Sequence, residues 1–227
     1  MNPGARRRRL EEARLYVVTD ARTEREDLDE FLEAILDAGA DVVQLRAKEA
    51  EAGDLLEWGS EFRGAADRHG ALFIVNDRPG VALALEADGV HLGQNDLPAS
   101  IARRILGPDG IIGLSTNRPQ EWDQAPPEAD YLCAGPVWAT PTKEGRPAAG
   151  LEYVRYAADS GERRPWFAIG GIDESNVDEV VAAGATRIVV LRAVGNAPDP
   201  AAAARTLREH LPEGGRDATG ARSSRSP

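Results

Sequence analysis

Eight short runs of β-branched and aliphatic residues punctuate this chain, and their rhythm restricts its fold more than any other feature. They are LYVVT at 15–19, DVVQL at 41–45, ALFIV at 71–75, GVHL at 89–92, IIGL at 111–114, YLCA at 131–134, WFAI at 166–169 and RIVVL at 187–191. Several are apolar at nearly every position, as parallel strands covered on both faces are. Parallel neighbours need crossover connections, and the intervening segments have helical periodicity. DLDEFLEAILDAG sets Leu28, Phe31, Leu32, Ile35 and Leu36 on one stripe, and SNVDEVVAAG does the same with Val177, Val180 and Val181. Asp27 and Ser175 stand where N-caps are wanted, Gly39 and Gly184 where helices should stop.

Eight βα units in about 200 residues predict an α/β fold, a single-domain (β/α)8 TIM barrel. A doubly wound sheet would normally carry a glycine-rich turn after its first strand, whereas TDARTERED follows here. The chain has 227 residues, 42% of them hydrophobic, enough for one large core. The expected divisions are a basic, disordered arm at 1–13, the catalytic barrel at 14–211 and a disordered tail at 212–227, where PEGGRDATGARSSRSP has almost no apolar residue.

A formal charge of −11 argues against general attraction to nucleic acid or an anionic membrane, so an anionic ligand must be held by a few placed cations. Arg6 to Arg9 are expected to be solvated. No apolar run follows them as in a secretory signal, and no stretch is long enough to cross a bilayer. The single cysteine, Cys133, and the lack of Cys/His spacing for zinc fit a cytoplasmic protein. A homo-oligomer stays open.

Barrel enzymes place their chemistry at the carboxyl ends of the strands. Those ends are polar here: Gln44, Arg46 and Lys48 after the second, Asn76 and Asp77 after the third, Gln94, Asn95 and Asp96 after the fourth, Ser115 on the fifth, and Thr140, Thr142 and Lys143 after the sixth. The chain has only two lysines, Lys48 and Lys143, and both fall on this rim. A compact ammonium can follow a phosphate through reaction better than a planar guanidinium. Asp77 and Asp96 end adjacent strands and could share one Mg²⁺, although each also precedes a proline and could cap a helix. Gly170 and Gly171 leave backbone N–H groups bare after the seventh strand, where this fold commonly cradles phosphate. His91 is expected to be packed and hydrogen-bonded, not a general base.

Together LYVVTD, VQLRAK, IVNDR, DGVHLGQND, GLST, DYLCAGPVWATPTK and AIGGI resemble the thiamine-phosphate synthase family over about residues 15–195. The resemblance implies a Mg²⁺-dependent transferase: diphosphate leaves hydroxymethylpyrimidine diphosphate as the ring nitrogen of hydroxyethylthiazole phosphate attacks the methylene carbon. It implies that Gln44, Arg46, Lys48, Asn76, Ser115 and Lys143 hold the pyrimidine diphosphate, with Arg46, Lys48, Ser115 and Lys143 acting in catalysis. Asp77 and Asp96 would ligate Mg²⁺, and Thr140, Thr142, Gly171, Leu191 and Arg192 would bind the thiazole phosphate. Two positions depart from the family's pattern: Asn117 stands where a histidine is common, and Arg192 where a serine is. The alternatives are a thiazole tautomerase of the same fold, which wants that histidine as base, and a non-catalytic phosphate sensor.

Overall fold

The computed structural model describes residues 2–140 and 148–213. Its strands are β1 (Leu15–Thr19), β2 (Val42–Leu45), β3 (Leu72–Asn76), β4 (Gly89–Leu92), β5 (Ile111–Thr116), β6 (Tyr131–Ala134), β7 (Trp166–Ile169) and β8 (Ile188–Val190). They pair in parallel in sequence order, and β8 returns to β1 to close the barrel. All eight runs became strands, and β5 runs two residues further than its apolar stretch, carrying Ser115 and Thr116 on the strand itself.

Alternation along each strand divides the core in two. Residues such as Val17, Val43, Phe73 and Val90 face outward against helices, including α2 (Leu28–Asp37) and α3 (Ala52–His69). Tyr16, Val42, Leu72, Ile74, Tyr131, Phe167 and Val189 fill the interior. Gly39 follows α2 at φ +99° and Gly184 follows α8 (Val177–Ala182) at φ +106°, which suits the left-handed turn past each helix end. Two expected caps turn out otherwise. Asp27 occupies the N-cap of α2 but spends its carboxylate on Arg22, with both bonds at 2.7 Å. Asn176, not Ser175, precedes α8, because Ser175 is drawn into a turn with Asp173.

The basic arm is a correction. Residues expected to be disordered form helix α1 (Pro3–Glu12), started by Asn2, whose side chain accepts from Ala5 N. Its apolar content could not have indicated this, since Leu10 alone is buried. The helix is held by charge. Asp41, Asp88 and Asp130 stand immediately before β2, β4 and β6, and each accepts a backbone N–H from the odd strand before it: Leu15 at 3.1 Å, Phe73 at 2.9 Å and Ile112 at 2.8 Å. The same carboxylates meet Arg9 at 3.8 Å, Arg6 at 2.8 Å and Arg7 at 2.7 Å from α1. Arg208, Arg63 and Arg103 bind them from the outer helices. Before β8 the pattern inverts: Arg187 donates to Glu11 O at 3.0 Å. Leu10 thereby packs onto the lowest interior layer and closes the amino end of the barrel. The tail beyond residue 213 lies outside the described residues.

Candidate active site

At the carboxyl end the strands bring most of the expected residues together. Gln44, Arg46, Lys48, Asn76, Asp77, Asp96 and Ser115 line one cavity of about 170 Å³, with His91 and Gln94 among its other walls. Thr140, Gly171, Leu191 and Arg192 line a neighbouring cavity of about 340 Å³. Ile169 and Leu191 belong to both walls, so the two spaces adjoin. Arg46 and Arg192 also border a third space of about 420 Å³ beside Asp20 and Arg25. Thr142 and Lys143 lie outside the described residues.

Neither aspartate caps a helix. Arg78 precedes α4 (Pro79–Ala84) and Pro98 precedes α5 (Ala99–Leu106). Asp77 sits at φ +60°, a left-handed conformation that Asp tolerates better than most residues, and that geometry turns its carboxyl toward Asp96. Asp96 folds back on its own loop and accepts Gly93 N–H at 2.7 Å. A Cβ at position 93 would come within 2.9 Å of that oxygen, so glycine suits the turn. Burial, then the hydrogen bond and charge of Asp96, push Asp77 up from the ordinary carboxylate range. In Asp96, burial acts in the same sense but is outweighed by hydrogen bonds from Asp77 and Gly93 N–H, which hold it low. The two carboxyls thus act on each other, and Lys48 Nζ stands 3.2 Å from Asp77.

Two hard oxygen donors side by side in the wall of a cavity fit a divalent cation such as Mg²⁺. No three His, Cys, Asp or Glu side chains converge among the described residues. A cation here would therefore need water or substrate oxygens to complete its shell. Arg46 and Arg192 make no side-chain ion pair among the described residues, which leaves both guanidinium groups available to an anion.

The glycine pair has a steric reason. Gly170 and Gly171 adopt φ +107° and +71°, and a Cβ on Gly170 would fall 2.5 Å from Pro136 Cα. This close approach lets Val137 N and Trp138 N bond Ile169 O and Gly170 O at 2.9 and 3.0 Å. The segment that leads to Thr140 is thereby seated beside the second cavity. Asn117 is turned to its own helix α6 (Pro119–Asp123), bonding Glu121 through N and Nδ2 at 2.8 and 2.7 Å.

The sequence did not reveal the polar chain beneath the site. Gln44 Nε2 donates to Tyr16 Oη. Tyr16 Oη lies 3.1 Å from Tyr131 Oη, which lies 3.0 Å from His91 Nδ1, and His91 Nε2 is 2.9 Å from Ser115 Oγ. His91 is packed and hydrogen-bonded, as expected. The available signal was a set of polar or aromatic residues at inward positions of otherwise apolar strands. Gln94, placed on the rim by the sequence but given no role there, donates from Nε2 to Ser115 O at 2.6 Å and steadies the end of β5.

A closed parallel barrel with a charged cleft at the carboxyl ends of its strands defines the class, a (β/α)8 barrel of the enzyme type. A model of the thiamine monophosphate synthase family matches residues 15–194, and the chain belongs to that family. It is 55% identical over 204 residues to a thiamine-phosphate synthase of Acidothermus cellulolyticus, covering 89% of this chain and 96% of the relative. To that of Thermobifida fusca it is 56% identical over 207 residues, covering 90% and 95%. Among solved structures it is similar to a thiamine phosphate pyrophosphorylase from Pyrococcus furiosus, with TM-score 0.80 and 38% identity over 88% of this chain and 96% of that one. Among the described residues no helix is long and apolar enough to cross a membrane.

Proposed function

We propose that the cleft condenses hydroxymethylpyrimidine diphosphate with hydroxyethylthiazole phosphate, giving thiamine monophosphate and pyrophosphate. The observation that carries this reading is the pair of adjoining cavities, one lined by Lys48, Arg46 and the Asp77–Asp96 pair, the other by Thr140, Gly171 and Arg192. Two anionic substrates can then be held apart at their phosphates and meet at the shared wall.

In this reading Gln44, Asn76 and Ser115 hydrogen-bond the pyrimidine diphosphate, while Arg46 and Lys48 face its phosphates. The methylene C–O bond breaks, its electron pair leaves with diphosphate, and the thiazole ring nitrogen supplies the pair for the new C–N bond. The amino-pyrimidine spreads the positive charge, so no protein nucleophile is needed. The chain's task is to neutralise the departing diphosphate with fixed cations. Asp77 and Asp96 would hold Mg²⁺, which supplies further charge neutralisation when bound. Lys143 and Thr142 keep the roles that the family resemblance implies. Thr140, the N–H groups near Gly171 and Leu191, and Arg192 receive the thiazole phosphate, Arg192 adding a charge that serine would not. Such a biosynthetic enzyme fits the cytoplasm.

Pyrophosphate release tests the reading directly. It is expected only when both substrates and Mg²⁺ are present, with one thiamine monophosphate per pyrophosphate. Steady release without the thiazole phosphate would mean a hydrolase, and equal activity in EDTA would remove the aspartate pair from the reaction.

A further inference from the structure

The buried chain of hydroxyls, imidazole and amide joins two residues on different sides of the barrel, Gln44 on β2 and Ser115 on β5. Every link runs through the interior, where Tyr16, Tyr131, His91, Gln44 and Ser115 are all at least nine-tenths buried. An unmade bond at Tyr16 or Tyr131, which lie below the cavity, would leave a phenol with neither protein nor water, so the hydrogens should be ordered along the chain. The interior is shaped for it. A Cβ at Gly113 would fall 2.0 Å from Tyr131 Cζ, so glycine makes the room in which that phenol reaches His91. The Tyr131 and His91 rings also stack, with centroids 5.6 Å apart. Burial raises the pKa of both phenols, so each keeps its hydrogen.

Direction follows from the amide. Tyr16 oxygen already accepts from Gln44, so the hydrogen of Tyr16 is directed to Tyr131. Tyr131 must then donate to His91 Nδ1, which leaves the imidazole hydrogen on Nε2, facing Ser115 Oγ. With Gln44 still donating and the other arrows reversed, the hydrogen of Tyr16 would have no acceptor along this chain. With Oγ accepting from His91, the serine's own hydrogen is not spent on the imidazole, and the side chain lines the cavity.

We propose that Tyr16, Tyr131 and His91 are positioning residues: they hold His91 as the Nε2–H tautomer and so set Ser115 as a hydrogen-bond donor to the pyrimidine diphosphate. The proposal rests on the reading of Ser115 given above. Its consequence is that a tyrosine removed from the cleft floor by a whole residue controls how a substrate contact is oriented.

The experiment combines a spectrum with kinetics. In the full chain labelled with ¹⁵N-histidine, His91 is assigned by its disappearance in His91→Gln, which separates it from His69 and His210. The expected spectrum shows a protonated Nε2 and an unprotonated Nδ1, and Tyr131→Phe should lose that pure signature. Turnover of Tyr131→Phe should fall roughly 10- to 100-fold, the usual effect of removing a partner that orients a ligand-binding group, with KM for the thiazole phosphate unchanged. His91→Gln, whose amide can donate to Ser115, should retain most activity, whereas His91→Leu should fall as far as Ser115→Ala. An Nδ1–H tautomer would overturn the proposal, as would Tyr131→Phe with wild-type turnover. The spectrum is read on the ligand-free chain, so it stands or falls independently of the pyrophosphate assay that tests the reaction itself.

Discussion

The two ends of this barrel carry aspartates in opposite states. At the amino end Asp41, Asp88 and Asp130 are each bound by a backbone N–H and by arginines from two directions. At the carboxyl end Asp77 and Asp96 face each other, with Lys48 as the near cation. The first arrangement gives each carboxylate an arginine and a backbone N–H and fastens strands to helices. The second leaves like charges in contact, a geometry that favours whatever cation or proton can enter. One residue type thus serves cohesion where its partners belong to the fold and chemistry where a partner must arrive.

That contrast is sharpest where it can be broken. Asp88→Ala should have the largest effect on stability, because it strands Arg6, Arg63 and the Phe73 N–H around a fully buried position. Arginine keeps its proton in proteins, so the stranded Arg63 cannot escape the cost by becoming neutral. Losing one partner of such a buried pair costs about 3–5 kcal/mol, a fall of melting temperature on the order of 10 °C for a chain of this size. Differential scanning calorimetry reads it, and turnover at low temperature should survive. A smaller effect is expected for Arg7→Ala. Its side chain is 47% exposed, and Arg103 remains at 2.6 Å to hold Asp130. The loss should stay below about 1 kcal/mol, a few degrees at most. A large drop would mean that α1 holds the barrel cooperatively through this one arginine.

The sequence displayed these two ends unequally. The strands were legible because parallel, two-sided burial leaves an apolar run that little else produces, and the rim residues followed from the rule that loops after strands carry chemistry. Position alone brought Gln44, Lys48, Asn76, Asp77, Asp96 and Ser115 to one cavity. The amino end was illegible because its signal is spread over the chain. Asp41, Asp88 and Asp130 each look like an ordinary loop residue, and Arg6, Arg7 and Arg9 look like a solvated charge run until the barrel closes and brings the two sets together. The relay beneath the site was hidden likewise, since Tyr16 and Tyr131 are 115 positions apart and meet only across the interior.

The division between the ends is tested most directly by measuring turnover and melting temperature together on Asp77→Asn, with Asp88→Ala as the counterpart. Asparagine tolerates the φ of +60° at position 77 and removes the like charge beside Asp96, so the fold should melt at or above the wild-type temperature. Turnover should fall about a hundredfold or more, with a higher Mg²⁺ requirement, because a charge that the reaction uses has gone. Asp88→Ala should show the converse. If Asp77→Asn instead melted clearly lower while keeping its turnover and its Mg²⁺ dependence, Asp77 would be a structural residue and the assignment of chemistry to the carboxyl end would fail.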